Sequence, residues 1–144
     1  MTYYFDTSAL VKLFSNEAGS NKVKEIIDNP SNDIWVLELA LVELMCAVFR
    51  KYRNHEINEQ NLQRIEAAIE NQFDLFNIVP MAGDLMNETL TLIKRFGKEN
   101  GLRTLDALHI AGWLAVAGYD WQFVSSDRNQ ISVVIGLNYE TLEI

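Results

Sequence analysis

Short apolar runs alternate along the chain with longer segments in which apolar residues recur every three or four positions. The short runs are rich in aromatic and β-branched side chains, which favours strands, whereas the longer spacing is typical of amphipathic helices. This pattern predicts strands at residues 2–6, 34–37, 76–79, 121–125 and 139–142. It predicts helices after Ser8 and at residues 20–28, 40–52, 58–73, 84–97 and 104–118, with a brief helical turn at 127–131.

The order of these elements defines a fold class. Helices separate the predicted strands, so consecutive strands are too far apart for hairpins and are expected to pair in parallel. Helices then cover both faces of the sheet, which predicts an α/β fold: a three-layer α/β/α sandwich with a mainly parallel sheet of about five strands. Because the chain has no repeats, linkers or low-complexity tracts, we expect a single domain over residues 1–144.

Asp6 stands at the end of the first apolar run and is followed by Thr7 and Ser8. Ser8 is the predicted N-cap of the next helix, so a carboxylate lies where a strand passes into a helix. Ligands of open α/β sheets bind at that edge, outside the carboxyl ends of the strands. Asp and Ser also cap helices for structural reasons alone, so this position by itself admits both interpretations.

Two further acids interrupt helices that are otherwise apolar. Glu43 is the only charged residue between positions 39 and 49, and a buried glutamate needs a partner or a metal ion. The alternatives are a functional acid and a buried ion pair with Arg or Lys. Asp106 lies in the first turn after Thr104, the predicted N-cap, where a carboxylate also complements the helix dipole. His109, one turn further on, is more typical of a hydrogen-bonded core residue than of a ligand.

The fourth acid, Asp127, follows an apolar run and two serines, Ser125 and Ser126, which repeats the arrangement around Asp6. A simple turn would also use these residue types. Taken together, two strand ends and two helix starts can bring the carboxylates to one edge of the sheet. Like charges packed together are unfavourable unless cations neutralise them. Oxygen ligands without Cys or paired His favour Mg²⁺ or Mn²⁺ over zinc, and such acid clusters serve phosphate chemistry.

Composition narrows the class of protein. The net charge of −8 argues against generic nucleic-acid binding, although acids that hold metal ions are neutralised in the working protein. The single cysteine, Cys46, cannot form an internal disulfide and is predicted to be a small core residue. Acids or glycines break the apolar stretches before they reach membrane-spanning length, and no secretory signal opens the chain. We therefore expect a cytoplasmic protein that does not enter a membrane.

Four segments of the chain resemble PIN-domain ribonucleases, and in particular the VapC-type toxins of toxin–antitoxin pairs. The segments are residues 6–10 (DTSAL), the helix with Glu43, residues 103–111 (RTLDALHIA) and residues 124–127 (VSSD). The resemblance implies an endoribonuclease with Mg²⁺ or Mn²⁺ held by Asp6, Glu43, Asp106 and Asp127, supported by the hydroxyls of Thr7 or Ser8 and of Ser125. Relatives often carry Ser or Thr shortly before the helical glutamate, whereas residues 39–42 here are all apolar.

The same resemblance implies partners. RNA is the expected substrate, with Lys12 and Arg103 as the nearest basic residues. A small antitoxin is expected to lay its tail across the active-site groove, between the helix at 58–73 and the one around Lys12. We also expect a homodimer.

Other functions use similar acids. A phosphatase, a DNA-directed nuclease, or a catalytically weak RNA-binding module of the same fold are the alternatives. A phospho-accepting receiver domain would need two adjacent acids early in the chain and a lysine after a late strand. Position 5 is Phe5, and residues 125–128 contain no lysine, so the receiver alternative fits less well.

Overall fold

Five parallel strands form one sheet in the computed structural model, which describes residues 1–144. The strands are β1 (Thr2–Phe5), β2 (Asp33–Leu37), β3 (Asn77–Val79), β4 (Trp121–Ser125) and β5 (Thr141–Glu143). Their order across the sheet is β3-β2-β1-β4-β5, so β1 is central and the direction of strand addition reverses between β1 and β4. The predicted parallel α/β sandwich is confirmed.

Seven α-helices and one short 3₁₀ helix (Val11–Phe14) connect the strands. The α-helices are α1 (Thr7–Leu10), α2 (Ser20–Ile27), α3 (Leu39–Arg53), α4 (Glu59–Phe73), α5 (Leu85–Asn100), α6 (Thr104–Val116) and α7 (Arg128–Gly136).

Each face of the sheet has its own apolar core, because side chains alternate along β1. Tyr3 and Phe5 pack with α1 to α4 on one face, and Tyr4 packs with α5, α6 and α7 on the other. On the second face α6 lies close to the sheet at Gly112. A Cβ built there would come within 2.5 Å of the Tyr4 hydroxyl and 2.8 Å of Leu37, so glycine permits this approach. None of the helices is both long and apolar enough to span a bilayer.

Helix starts differ from the prediction at two sites. Asp6, and not Ser8, is the N-cap of α1, since its carboxylate accepts the backbone N–H of Ala9. Arg103 holds the N-cap position of α6, and Thr104 is already the first helical residue. Thr104 therefore does not cap that helix, which also ends two residues earlier than Gly118, at Val116.

The helix after Asp127 is longer than predicted. Instead of a brief turn, α7 runs for nine residues, and Ile131, Val133 and Val134 are buried on the second face of the sheet. Burial of these β-branched residues outweighs their preference for strands.

Cys46 is exposed, so its predicted place in the core is wrong. Helix α3 buries Ala40, Leu44 and Val48 along one stripe, and Cys46 lies on the opposite side. On that side Val42 is 59% exposed, although it is apolar. The apolar sequence of this helix predicts that it is largely buried, but one side of α3 is exposed, because an all-apolar sequence does not reveal which face packs.

Candidate active site

All four predicted acids lie around the carboxyl ends of β1 and β4, where the strand order reverses. Asp6 follows β1 directly, and Asp127 caps α7 two residues after β4 ends. Glu43 comes from the second turn of α3, and Asp106 from the first turn of α6. Open parallel sheets bind their ligands at such a switch point.

The Asp6 carboxylate is 1% exposed and meets only uncharged donors. The hydroxyl of Ser8 donates to its Oδ1 at 2.9 Å, and the backbone N–H of Ala9 donates to the same oxygen at 3.2 Å. The amide Nε2 of Gln130 donates to its Oδ2 at 2.8 Å. Burial raises the pKa of Asp6 above its ordinary value, although the charge of His109 and the hydrogen bonds from Ser8 and Ala9 lower it in part.

Two side chains connect Asp6, Asp106 and Asp127. Gln130 Nε2 also donates to Asp106 Oδ1 at 3.3 Å and so lies between Asp6 and Asp106. The Arg103 guanidinium donates to Asp106 Oδ2 at 2.8 Å through Nε, and to Asp127 Oδ2 at 3.2 Å through Nη2. These hydrogen bonds with Asp106, and the negative charges of both acids, raise the pKa of Arg103. The three aspartates therefore form one connected cluster.

Glu43 has different partners. His109 Nε2 lies 2.6 Å from Glu43 Oε2, and the Thr7 hydroxyl donates to the same oxygen. Burial alone would raise the pKa of Glu43, but the hydrogen bond and charge of His109, with the Thr7 hydroxyl, outweigh burial and lower it. Glu43 thus contacts a basic side chain, but this partner is His109 and not the Arg or Lys of the predicted alternative. Thr7 also provides a hydroxyl that the apolar residues 39–42 do not offer.

The predicted supporting hydroxyls connect the two strand ends. Ser8 Oγ lies 3.2 Å from Ser125 Oγ and accepts the backbone N–H of Ser126 at 2.9 Å. Ser125 Oγ accepts the backbone N–H of Asp127 at 2.9 Å, which orients the start of α7. Thr7, Ser8 and Ser125 are therefore all at the site, with Thr7 contacting Glu43 and Ser8 contacting Asp6.

Two functional candidates had little or no signal in the sequence. Gln130 is 3% exposed, and its Oε1 has no hydrogen-bond partner. It lies on α7, most of which was not predicted, and glutamine is usually a surface residue. His109 is 2% exposed and hydrogen-bonded, as expected for a core histidine, but its partner is the site acid Glu43.

Lys12 and Glu17 lie outside the cluster. The Lys12 ammonium donates to the carbonyl of Ala18 at 2.7 Å, so Lys12 is not the predicted basic neighbour of the acids. Exposed Glu17 accepts a hydrogen bond from Ser15 at 2.8 Å.

The side chains at the site match a divalent cation in ligand type. The carboxylates, with the unpartnered Oε1 of Gln130, are oxygen ligands of the kind that Mg²⁺ and Mn²⁺ prefer. As the side chains stand, no group of three or more His, Cys, Asp or Glu is arranged to hold a metal ion. Nitrogen donors of Arg103 and Gln130 lie between the carboxylates instead. The oxygen ligands are thus of the type that these ions bind. For an ion to bind between the carboxylates, Arg103 and Gln130 would have to move.

A groove of about 670 Å³ runs beside Glu43 along α3. Its lining combines apolar and basic residues: Thr7, Ser8, Val11, Leu39, Val42, Glu43, Cys46, Ala47, Arg50, Arg53 and Leu105. This groove is lined by α3 and by Val11 from the segment around Lys12, and it includes no residue of α4, the helix predicted at 58–73.

Comparisons with known proteins agree with this architecture. The chain belongs to the PIN-domain family, whose model matches residues 3–134. Within that family it belongs with the VapC-type ribonucleases. It is 30% identical over 113 residues to ribonuclease VapC45 of Mycobacterium tuberculosis (strain CDC 1551 / Oshkosh), which covers 78% of this chain and 75% of the relative.

Solved structures share the fold at low identity. VapBC2 from Rickettsia felis, bound to a DNA fragment from their promoter, superposes with a TM-score of 0.68 and 14% identity over 100% of this chain and 99% of that chain. A toxin–antitoxin complex from Klebsiella pneumoniae gives a TM-score of 0.62 and 20% identity, covering 99% of each chain.

Proposed function

We propose that this protein is a divalent-metal-dependent endoribonuclease that hydrolyses RNA phosphodiester bonds and acts as the toxin of a toxin–antitoxin pair. The observation that carries the proposal is the connected acid cluster at the switch point of the sheet. Asp6, Asp106 and Asp127 share Gln130 and Arg103 as partners, and Glu43 reaches the same edge through Thr7, the neighbour of Asp6. The relative VapC45 of Mycobacterium tuberculosis is a ribonuclease, which supports the same activity here.

Asp6, Glu43, Asp106 and Asp127 are the residues that would hold Mg²⁺ or Mn²⁺. Such ions supply activation of a water molecule and stabilisation of the attacking and leaving oxygens of an in-line displacement. The chain's own contribution is to fix the ligands. Ser8 and the backbone of Ala9 hold one oxygen of Asp6, and Ser125 positions the backbone of Asp127.

Glu43 is held by a separate set of donors. Thr7 and His109 both contact its Oε2, so Oε1 is the oxygen left without a protein hydrogen bond. A fixed carboxylate with one free oxygen can accept a proton from a bound water or bind a metal ion without further ordering.

RNA cleavage assays test this function. The protein is expected to cut a mixed-sequence RNA in the presence of Mn²⁺ or Mg²⁺ and to stop when EDTA is added. A single-stranded DNA of the same sequence and a phosphatase substrate distinguish the other enzymes that could use these acids. Cleavage that continues unchanged in EDTA would contradict the metal-dependent assignment, and no cleavage of RNA under any condition would favour the RNA-binding alternative.

We further propose that a small antitoxin binds the groove beside Glu43. Val42 and Leu105 expose 59% and 48% of their surfaces there, and apolar exposure next to a charged site is typical of a protein interface. An Arg or Lys of the antitoxin could pair with the acid cluster at the end of the groove. One structural neighbour is a toxin–antitoxin complex, which supports this partner by analogy of fold.

Co-expression with the small protein encoded next to this chain tests the partner. We expect relief of toxicity, a complex that survives purification, and slower RNA cleavage by the complex. Val42→Glu should weaken that complex, while Tyr119→Glu is a matched control because Tyr119 is 99% exposed and outside the groove. A complex that cleaves RNA as fast as the free protein would contradict inhibition through this groove.

A homodimer is also proposed. Helix α5 exposes Met86 and Leu90 to 64% and 51%, which provides an apolar surface away from the acid cluster. Sedimentation of the wild type and of Leu90→Glu tests this surface. A wild type that is monomeric, like the variant, would contradict the homodimer.

A further inference from the structure

Arg103 is the only Lys or Arg side chain that contacts the acid cluster. Its guanidinium makes three contacts with two carboxylates: 2.8 Å and 3.3 Å to Asp106, and 3.2 Å to Asp127. Neither acid has another cationic partner. Arg103 therefore neutralises part of the negative charge of Asp106 and Asp127.

We propose that Arg103 alternates between two partners: the carboxylates of Asp106 and Asp127 before a divalent ion binds, and a phosphate of the RNA backbone afterwards. Arg103 is then a positioning residue for the substrate that also lowers the affinity of the site for metal. The proposal rests on the ribonuclease function proposed above and extends it to one residue and one step.

Arg103 and a metal ion would compete for the same carboxylate oxygens. Both oxygens of Asp106 accept hydrogen bonds from the guanidinium, and one also accepts from Gln130. An Mg²⁺ ion takes its oxygen ligands at about 2.0–2.1 Å, and a guanidinium in hydrogen-bond contact with those oxygens would be close enough to repel it. Metal entry therefore displaces Arg103.

The displaced side chain can move without disturbing the core. The Arg103 side chain is 73% exposed, whereas the side chain of Asp106 is 10% exposed, so release requires rotation into solvent only. Its position at the start of α6 keeps the guanidinium at the open edge of the site, where RNA must approach.

A phosphate is the partner that the freed guanidinium suits best. The planar fork of Arg binds phosphate oxygens through two parallel hydrogen bonds. With a net charge of −8, the protein needs local positive charge to hold a polyanion, and Lys12 is already bound to the carbonyl of Ala18. Arg103 supplies such a charge next to the carboxylates.

Metal titration tests the first half of the proposal without RNA. Calorimetry with Mn²⁺ compares the wild type, Arg103→Met and Arg128→Met. Arg128 is the matched control, because its exposed guanidinium pairs with Glu143 at 2.9 Å and makes no contact with the acids. Arg103→Met should bind Mn²⁺ about three- to tenfold more tightly than the wild type, and the control should be unchanged.

Salt dependence tests the second half. The initial rate of cleavage of a mixed-sequence RNA at low substrate, with saturating Mn²⁺, is measured against KCl concentration. Loss of one phosphate contact should make the slope of log rate against log salt shallower by about 0.7 in Arg103→Met, with a smaller rate at low salt. Arg103→Lys keeps the charge and should retain the slope, whereas a purely structural role would leave the slope unchanged in every variant.

The outcomes separate this proposal from the proposed function. Equal or weaker Mn²⁺ binding by Arg103→Met, or an unchanged salt slope, overturns the role of Arg103 and leaves the ribonuclease intact. A wild type that neither binds Mn²⁺ nor cleaves RNA overturns the proposed function and the role of Arg103 together.

Discussion

Asp6 and Glu43 lie at the same edge of the sheet, yet their surroundings differ in kind. Asp6 is 1% exposed and is held by a hydroxyl, a backbone N–H and an amide, and burial raises its pKa. The Glu43 side chain is 21% exposed and is held by His109 and Thr7, which lower its pKa despite burial. The surroundings of Asp6 therefore disfavour its ionised form, whereas the surroundings of Glu43 favour its ionised form.

This difference shows that the negative charges of the acids are not all stabilised to the same degree. The Asp6 carboxylate accepts hydrogen bonds only from neutral donors, while Asp106 and Asp127 have Arg103. Glu43 has its own donors, so it contributes little to the repulsion that metal binding relieves. Substitutions at the two positions should consequently affect activity alike and stability in opposite directions.

The largest expected effect is on activity. Asp6→Asn preserves the shape and the helix cap but removes a charge that would hold metal, so RNA cleavage should fall by orders of magnitude. Glu43→Gln should cause a comparable loss. Initial rates with saturating Mn²⁺ provide the measurement, with Arg128→Met as the control. Wild-type rates in both variants would show that neither carboxylate takes part.

Stability in EDTA at pH 7 should separate the two variants. Glu43→Gln removes the negative charge that faces His109, which weakens the contacts of Oε2 with His109 and Thr7, and should cost about 1–3 kcal/mol. Asp6→Asn should be as stable as the wild type or more so, because it removes a charge that burial disfavours. Urea titrations of both proteins decide the matter, and a larger loss for Asp6→Asn than for Glu43→Gln would refute the comparison.

The pH dependence follows from the same pKa directions. The lowered pKa of Glu43 means that its contribution to stability is present above its unfolded pKa of about 4.3 and is lost as the pH falls through the folded value. The raised pKa of Asp6 gives the opposite sign: its contribution is present below about 3.9 and is lost as the pH rises through the folded value. In EDTA, the stability of Asp6→Asn relative to the wild type should therefore increase as the pH rises from 4 to 7. Denaturation at several pH values would detect this change.

The smallest effects concern single hydroxyls. Thr7→Val removes a donor to Glu43 and should raise the pKa of that carboxyl and cost about 1 kcal/mol. Ser8→Ala removes a donor to Asp6 and leaves the N–H of Ser126 unpaired, for a similar cost. NMR titration of the Glu43 carboxyl should respond to Thr7→Val and not to Ser8→Ala. Equal responses would mean that the two halves of the site are not separate.

The sequence predicted most of the fold because the relevant signals are local. Apolar runs and helical spacing locate the strands, and acids placed directly after strands must lie at one edge of a parallel sheet. Helices α3 and α6 show where this fails. Both are apolar, but α6 buries eight consecutive residues from Asp106 to Trp113, whereas α3 exposes Val42 and Cys46. Periodicity cannot distinguish these cases, because it depends on polar residues to mark the outer face.

The sequence predicted that the four acids lie at one edge of the sheet. It did not predict the side chains that lie between them. Arg103 and Asp106 are three residues apart, so their pairing is accessible to helix geometry, but the contact of Arg103 with Asp127 depends on tertiary structure. Gln130 lies on a helix whose length was underestimated, and nothing in its sequence surroundings indicates burial between two carboxylates.

The central claim is that the acids together bind a divalent cation, and thermal melting with and without millimolar Mn²⁺ tests it most directly. A ligand that binds only the folded state stabilises it by about 2.7 kcal/mol at a hundred times its Kd, which for a chain of this size is a rise of roughly 5–10 °C in Tm. The wild type should show this rise, and Asp106→Asn should lose most of it. An unchanged Tm in the wild type, with no heat of Mn²⁺ binding by calorimetry, would contradict the account.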